Sequence, residues 1–175
     1  MNAWPATRTA VRLELVAETL RQFSEVRFIA RGSSMLPTIY PGDCLTVNCF
    51  GTHAPRCGEV VLYRRAGEFR VHRIAALAEE GSFTSYILRG DSLTENDPPV
   101  AACDLLGRVT WLERGGSFLR MCAAQTVHQR IARWMVRHSR IVVALLLRWH
   151  AVRQKNFIPE QSLAATSATA KTERA

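Results

Sequence analysis

Ser33 and Ser34 lie in the stretch "RGSSMLPTIYPGD", residues 31–43, between a strand-like run and an acidic turn. A serine hydroxyl is a poor nucleophile at neutral pH and needs a neighbouring base to take its proton. The inventory of bases is short. The two lysines, Lys155 and Lys171, both lie beyond the region rich in strand signals, which excludes a Ser–Lys pair built within it. Of the five histidines only His53 and His72 fall inside that region. His53 sits in the Pro/Gly-flanked loop "GTHAPRCG", whereas His72 falls mid-strand in "FRVHRIA". Alternation puts Phe69, Val71 and Arg73 on one face of that strand and Arg70, His72 and Ile74 on the other. A base held on a strand keeps its geometry better than one on a loop, so His72 is the expected partner of a serine here.

Three ordered boxes then carry a resemblance. "SSMLPTIYPGD" resembles the S-M-x-P-T-(I/L)-x-x-G-D box of the signal peptidase I superfamily, which also holds the self-cleaving SOS repressors. "GEVVLYRRAGEFRVHRIAAL" is similar to the second family box, G-(D/E)-(I/V)-V followed by the strand of the general base. Most bacterial members have Lys before Arg in that strand; His72–Arg73 matches the His-Arg of the archaeal and endoplasmic-reticulum branch. "LRGDSLTENDPPV" resembles that branch's G-D-N-x-x-x-D-D box, with Asp91 in the G-D and Asp97 at its last acid.

The resemblance covers about residues 25–113. It implies Ser34 as nucleophile, His72 as general base and Asp97 as the acid orienting the imidazole, with Asp91 as the alternative third member. The backbone N–H of Ser34 is the implied oxyanion donor, and Ser33, Met35 and Pro37 are expected oxyanion or substrate-binding positions. Two positions depart from the pattern. Gly32 stands where many bacterial members carry an oxyanion-assisting hydroxyl, and Ser92 replaces the Asn after the G-D.

The elements that must position these groups are legible as periodicity. Residues 8–23 carry Val11, Leu13, Leu15, Val16, Leu20 and Phe23 near helical spacing. Short runs rich in β-branched and aromatic residues follow: "EVRFIA", "CLTVNCF", "EVVLYRR", "FRVHRIAAL", "FTSYILRG" and "LLGRVTWLE", separated by turn signals. They predict an all-β core, antiparallel, over 25–113; the family implies a coiled signal-peptidase-like fold, similar to the SOS-repressor C-terminal domain. A short N-terminal helical segment (1–24) precedes it. "RGG", Arg114–Gly116, reads as a boundary to a basic amphipathic helical segment over 114–157, and 158–175 reads as a disordered tail.

The formal charge of +8 is unevenly placed. Gly115–Pro159 holds eight basic residues and no acid; subtracting these eight from the 23 Lys and Arg leaves 15, equal to the 15 Asp and Glu. As one helix over about 118–155, this segment would gather Arg130, Arg133, Arg137, Arg140, Arg148 and Lys155 on one stripe. One account is a helix packed on the β domain with that stripe in water. The other, favoured by tryptophans beside unopposed charge, is peripheral contact with an anionic membrane, aromatics inward and arginines at the headgroups. Nucleic acid is disfavoured, since nothing resembles a reading head or stacking platform.

The five cysteines include no C-x-x-C pair and read as buried reduced thiols; no metal or cofactor is expected. The N-terminal stretch has no apolar signal-peptide core, and the apolar run "IVVALLL" is far short of the roughly 20 residues that span a bilayer. The expected location is therefore cytoplasmic, with the membrane reading placing the chain on the inner face. The expected activity is that of a serine endopeptidase cleaving extended peptide or precursor segments after small residues. The alternatives are a self-cleaving repressor-like regulator and a catalytically silent peptide-binding module. Against the regulator, the roughly 24 residues before the β domain are too few for a helix-turn-helix domain.

Overall fold

The computed structural model describes residues 4–80, 83–123 and 127–155. Helix α1 (Trp4–Phe23) leads into an eight-stranded antiparallel sheet: β1 (Glu25–Ile29), β2 (Cys44–Asn48), β3 (Val60–Arg65), β4 (Glu68–Glu80), β5 (Phe83–Arg89), β6 (Val100–Ala101), β7 (Leu105–Arg114) and β8 (Ser117–Arg120). Helices α2 (Val127–His138) and α3 (Arg140–Lys155) follow. The strand order is β1-β2-β7-β3-β4-β5-β6, with β8 on β7.

β3 shows how the sheet is held. Its residues alternate between two cores: Val60 and Leu62 join Leu45, Val47, Val109 and Leu112 on one face, while Val61 and Tyr63 join Ile74, Tyr86 and Leu88 on the other. A strand buried on both faces reads as an unbroken apolar run, which is why "VVLY" carries no polar alternation. Helix α1 closes the first core with Leu20, whose burial contributes about 1.5–3 kcal/mol. It stops at Ser24, which adopts φ 61° and donates its N–H to the Leu20 carbonyl at 3.0 Å.

β3 and β4 are joined by the two-residue turn Ala66–Gly67, both with positive φ, the conformation that matches the twist of a hairpin. The register that results pairs Val61 with His72 and Tyr63 with Arg70. β4 is long enough to change partners. Its first half pairs with β3 and its second half, from Arg73 onward, with β5. Its first half therefore has no β5 partner, and β1 ends the strand order at the other side.

The C-terminal region departs from the sequence expectation. At the expected boundary, Gly115 and Gly116 form the turn of a hairpin that adds β8 to β7. The single helix expected over 118–155 is two helices, because Ser139 interrupts it. The Ser139 hydroxyl accepts the Val142 N–H at 3.4 Å, the position of an N-cap three residues ahead, so a new helix begins there. α3 packs Val142, Val143, Leu146 and Leu147 over Leu36, Tyr40 and Val136. The water-facing arginine stripe is also corrected at two of its members. Arg133 turns onto buried Asp91, and the Nε of Arg137 is enclosed. The side chains of Arg130, Arg140 and Lys155 lie outside the described residues, as does the expected tail. The cysteines are free, but Cys57, Cys103 and Cys122 are exposed rather than buried. Among the described residues, no helix is long and apolar enough to cross a membrane.

Candidate active site

The loop between β1 and β2 carries Ser34 and is tied at both ends. Ala30 donates its N–H to the Asp43 carbonyl at 2.8 Å, and Gly42 donates to the Ala30 carbonyl at 2.9 Å. The Asp43 carboxylate is buried. It accepts the Tyr40 N–H at 2.7 Å and two bonds from Arg114 at 2.8 and 2.6 Å. A bidentate guanidinium fixes orientation as well as charge, so the acidic turn is clamped to the end of β7.

A second clamp acts on the serine directly. Ser92 donates its N–H and its hydroxyl to the Ser34 carbonyl, both at 2.9 Å, and its hydroxyl lies 3.0 Å from the Ser33 carbonyl. The approach requires Gly90, since a Cβ there would stand 2.6 Å from the Ser34 carbonyl oxygen. Ser92 thus holds the backbone of Ser34.

β4 brings His72 to the serine. His72 is 5% exposed, and its Nε2 lies 3.1 Å from the Ser34 Oγ. On the other side of the ring, Nδ1 lies 2.5 Å from Asp97 Oδ2. Asp97 reaches this place because its own N–H bonds to the Leu88 carbonyl at 2.8 Å. Tyr63 completes the group: its hydroxyl donates to Asp97 Oδ2 at 2.9 Å and lies 3.1 Å from His72 Nδ1. Burial, followed by the hydrogen bond and charge of Asp97, pushes the Tyr63 phenol well up, so it stays a neutral donor. A carboxylate only accepts, so the proton between Asp97 and the ring sits on Nδ1. That leaves the Nε2 lone pair facing the serine hydroxyl, the tautomer a general base needs.

The two acids left open by the sequence are separated by the fold. Asp97 stands on His72. Asp91 is on the opposite side of β4, where Arg73 donates from Nε at 2.8 Å and from its terminal nitrogen at 2.7 Å. Thr38 and Arg133 also donate to Asp91, at 2.5 and 3.1 Å. Burial alone would raise its pKa, but Arg73, then Thr38 and Arg133, hold it below the ordinary carboxylate value. His53, the other histidine of this region, lies exposed in its loop.

A cleft of about 440 Å³ opens beside Ser34. Phe28–Gly32 form one wall and Phe69–His72 the other, over Met35, Ile39, Leu45 and Leu62. Of the other expected positions, Met35 lines this cleft and Ser33 and Pro37 are not among its walls. Gly32 has φ 87°, a conformation that a hydroxyl-bearing residue takes only with strain. The hollow continues along β1 past Val26 and Val16 towards Glu68. Sequence reasoning missed Tyr63, although its signal was present. A two-residue turn at Ala66–Gly67 fixes the pairing of Tyr63 with Arg70, and places its side chain on the face of His72.

No protein-family model matches the chain, and no curated protein matches its sequence at a significant level. The geometry must therefore carry the functional reading.

Proposed function

We propose that this protein is a serine endopeptidase of the signal peptidase type, hydrolysing extended peptide or precursor segments after small residues. The observation that carries the reading is the unbroken chain Asp97–His72–Ser34, with 2.5 Å at one end of the imidazole and 3.1 Å at the other. It supplies the nucleophile–base and base–orienter contacts that acyl transfer by a serine requires.

The chemistry follows from the tautomer. Ser34 Oγ attacks the peptide carbonyl carbon as its proton passes to His72 Nε2, and the resulting imidazolium is stabilised by Asp97. The backbone N–H of Ser34 serves the developing oxyanion. Collapse of the tetrahedral intermediate breaks the C–N bond, and Nε2 returns the proton to the leaving amine. Water, activated by the same nitrogen, then releases the acyl group from Ser34.

The cleft supports an extended substrate. It lies between β1, which has one sheet partner, and the part of β4 that β5 does not cover. A peptide added there as a strand would gain main-chain hydrogen bonds, and alternate side chains would enter the apolar floor. The signal-peptidase-like coiled β fold is part of the same proposal, supported by the antiparallel pairing throughout and the three sequence boxes.

The test is covalent. A serine-directed fluorophosphonate probe is expected to label the native chain and to leave Ser34→Ala and His72→Ala unlabelled. Labelling that persists in Ser34→Ala overturns the assignment.

A further inference from the structure

Helix α2 is amphipathic in the inverted sense. Arg133, Val136 and Arg137, at spacing i, i+3 and i+4, face the protein. Ile131, Trp134, Met135 and His138 form the complementary face, and it points outward, with Trp134 61% exposed. Helix α3 differs in being apolar on its inner side as well as its outer one. Val142, Val143, Leu146 and Leu147 pack on the protein, and His150 anchors the helix by a 3.1 Å bond to the Pro41 carbonyl. Its outer face carries Ile141, Leu145 and Trp149, which are 72%, 61% and 55% exposed, beside exposed Arg148.

Scattered exposed apolar residues are ordinary, but two adjacent helices that both turn their large apolar side chains outward call for a covering phase. The charge of the segment decides which. Gly115–Pro159 holds eight basic residues and no acid; Arg133 and Arg137 turn inward, and Arg148 is exposed beside the outer apolar face. A second copy docking through the same face in a twofold arrangement would bring two such segments together, like charge against like. An anionic bilayer offers the opposite charge at its headgroups and an apolar layer beneath, the layer in which tryptophan side chains settle.

We infer that the α2–α3 helix pair docks the protein on an anionic lipid surface, with the Trp134 and Trp149 faces entering the headgroup–acyl boundary. This differs from the sequence expectation in one respect. Arg133 and Arg137 serve the protein rather than the headgroups, so apolar insertion makes the larger contribution and Arg148 sits at the rim. The inference stands independently of the peptidase reading, since Trp134, Leu145 and Trp149 are exposed and do not line the cleft beside Ser34.

Flotation of the full chain with phosphatidylcholine vesicles, with and without phosphatidylglycerol, tests it. The native protein is expected to float with the phosphatidylglycerol vesicles and much less with phosphatidylcholine alone. Trp134→Ser/Leu145→Ser, checked for folding by circular dichroism, is expected to lower the bound fraction roughly tenfold. Absence of flotation at low salt, or equal flotation of the double variant, overturns the inference. So does a concentration-dependent dimer in sedimentation that the double variant abolishes, because the face would then be covered by a second copy.

Discussion

His72 and Arg73 are consecutive on β4 and point to opposite faces of the strand, each to an aspartate of the segment that follows β5. The two acids are only six positions apart, yet their surroundings give them different uses. Around Asp97 the donors are neutral: the Nδ1–H of an imidazole and the hydroxyl of Tyr63. In the proposed mechanism the ring takes a second proton on Nε2 from Ser34, and this carboxylate would support that transient charge. Around Asp91 the donors are Arg73, Arg133 and Thr38. Guanidinium does not titrate in the working range, so that pairing is permanent and its role is to hold β4 against the serine loop. The chemistry of a carboxylate here is decided by whether its partner can lose a proton.

Substitutions can break this contrast. Asp97→Asn is expected to keep the fold and lower kcat by roughly 10⁴-fold, because an amide no longer fixes the proton on Nδ1. Asp91→Asn should do the reverse. It leaves the Arg73 charge buried without its counter-ion, which costs about 3–5 kcal/mol in denaturant unfolding. A large stability loss in Asp97→Asn with unchanged kcat would erase the distinction.

The pH dependence of stability sharpens it. The Asp91 carboxyl is held below its ordinary pKa, so its contribution is present above the ordinary carboxylate range. That contribution fades as pH falls through that range to the depressed folded value. Melting temperature should therefore drop on the acid side in the native chain, and Asp91→Asn should lose part of that slope.

Smaller changes probe each cluster at its margin. Tyr63→Phe removes one neutral hydrogen bond from Asp97 and is expected to lower kcat about tenfold while costing about 1 kcal/mol of stability. Thr38→Val takes one donor from Asp91 and leaves Arg73 in place. It should cost about 1 kcal/mol in unfolding and leave kcat nearly unchanged.

Much of the sheet was legible because alternation and turn chemistry are local. The strand at "FRVHRIAAL" and the faces assigned to His72 and Arg73 followed from a period of two. Two short strands were not. Val100–Ala101 is only two residues, and Ser117–Arg120 lies beyond a Gly-Gly pair that reads equally well as a domain boundary or as a hairpin turn. The helix break at Ser139 was present as a capping residue, but apolar positions on both sides kept the apparent periodicity running. Tyr63 was missed because its role depends on a diagonal across a hairpin, which single-strand alternation does not display.

The sequence by itself determined the candidate serine, the absence of lysine from the strand region, and the histidine that a rigid strand carries. Those are statements about residue type and short-range period. Only the tertiary structure set Asp97 beside His72 and Asp91 beside Arg73, turned Arg133 inward, and set the apolar faces of α2 and α3 outward. The physical reason is distance along the chain. Ser34 and His72 are separated by 38 positions and Asp91 and Arg133 by 42, and such meetings depend on packing that no local pattern encodes.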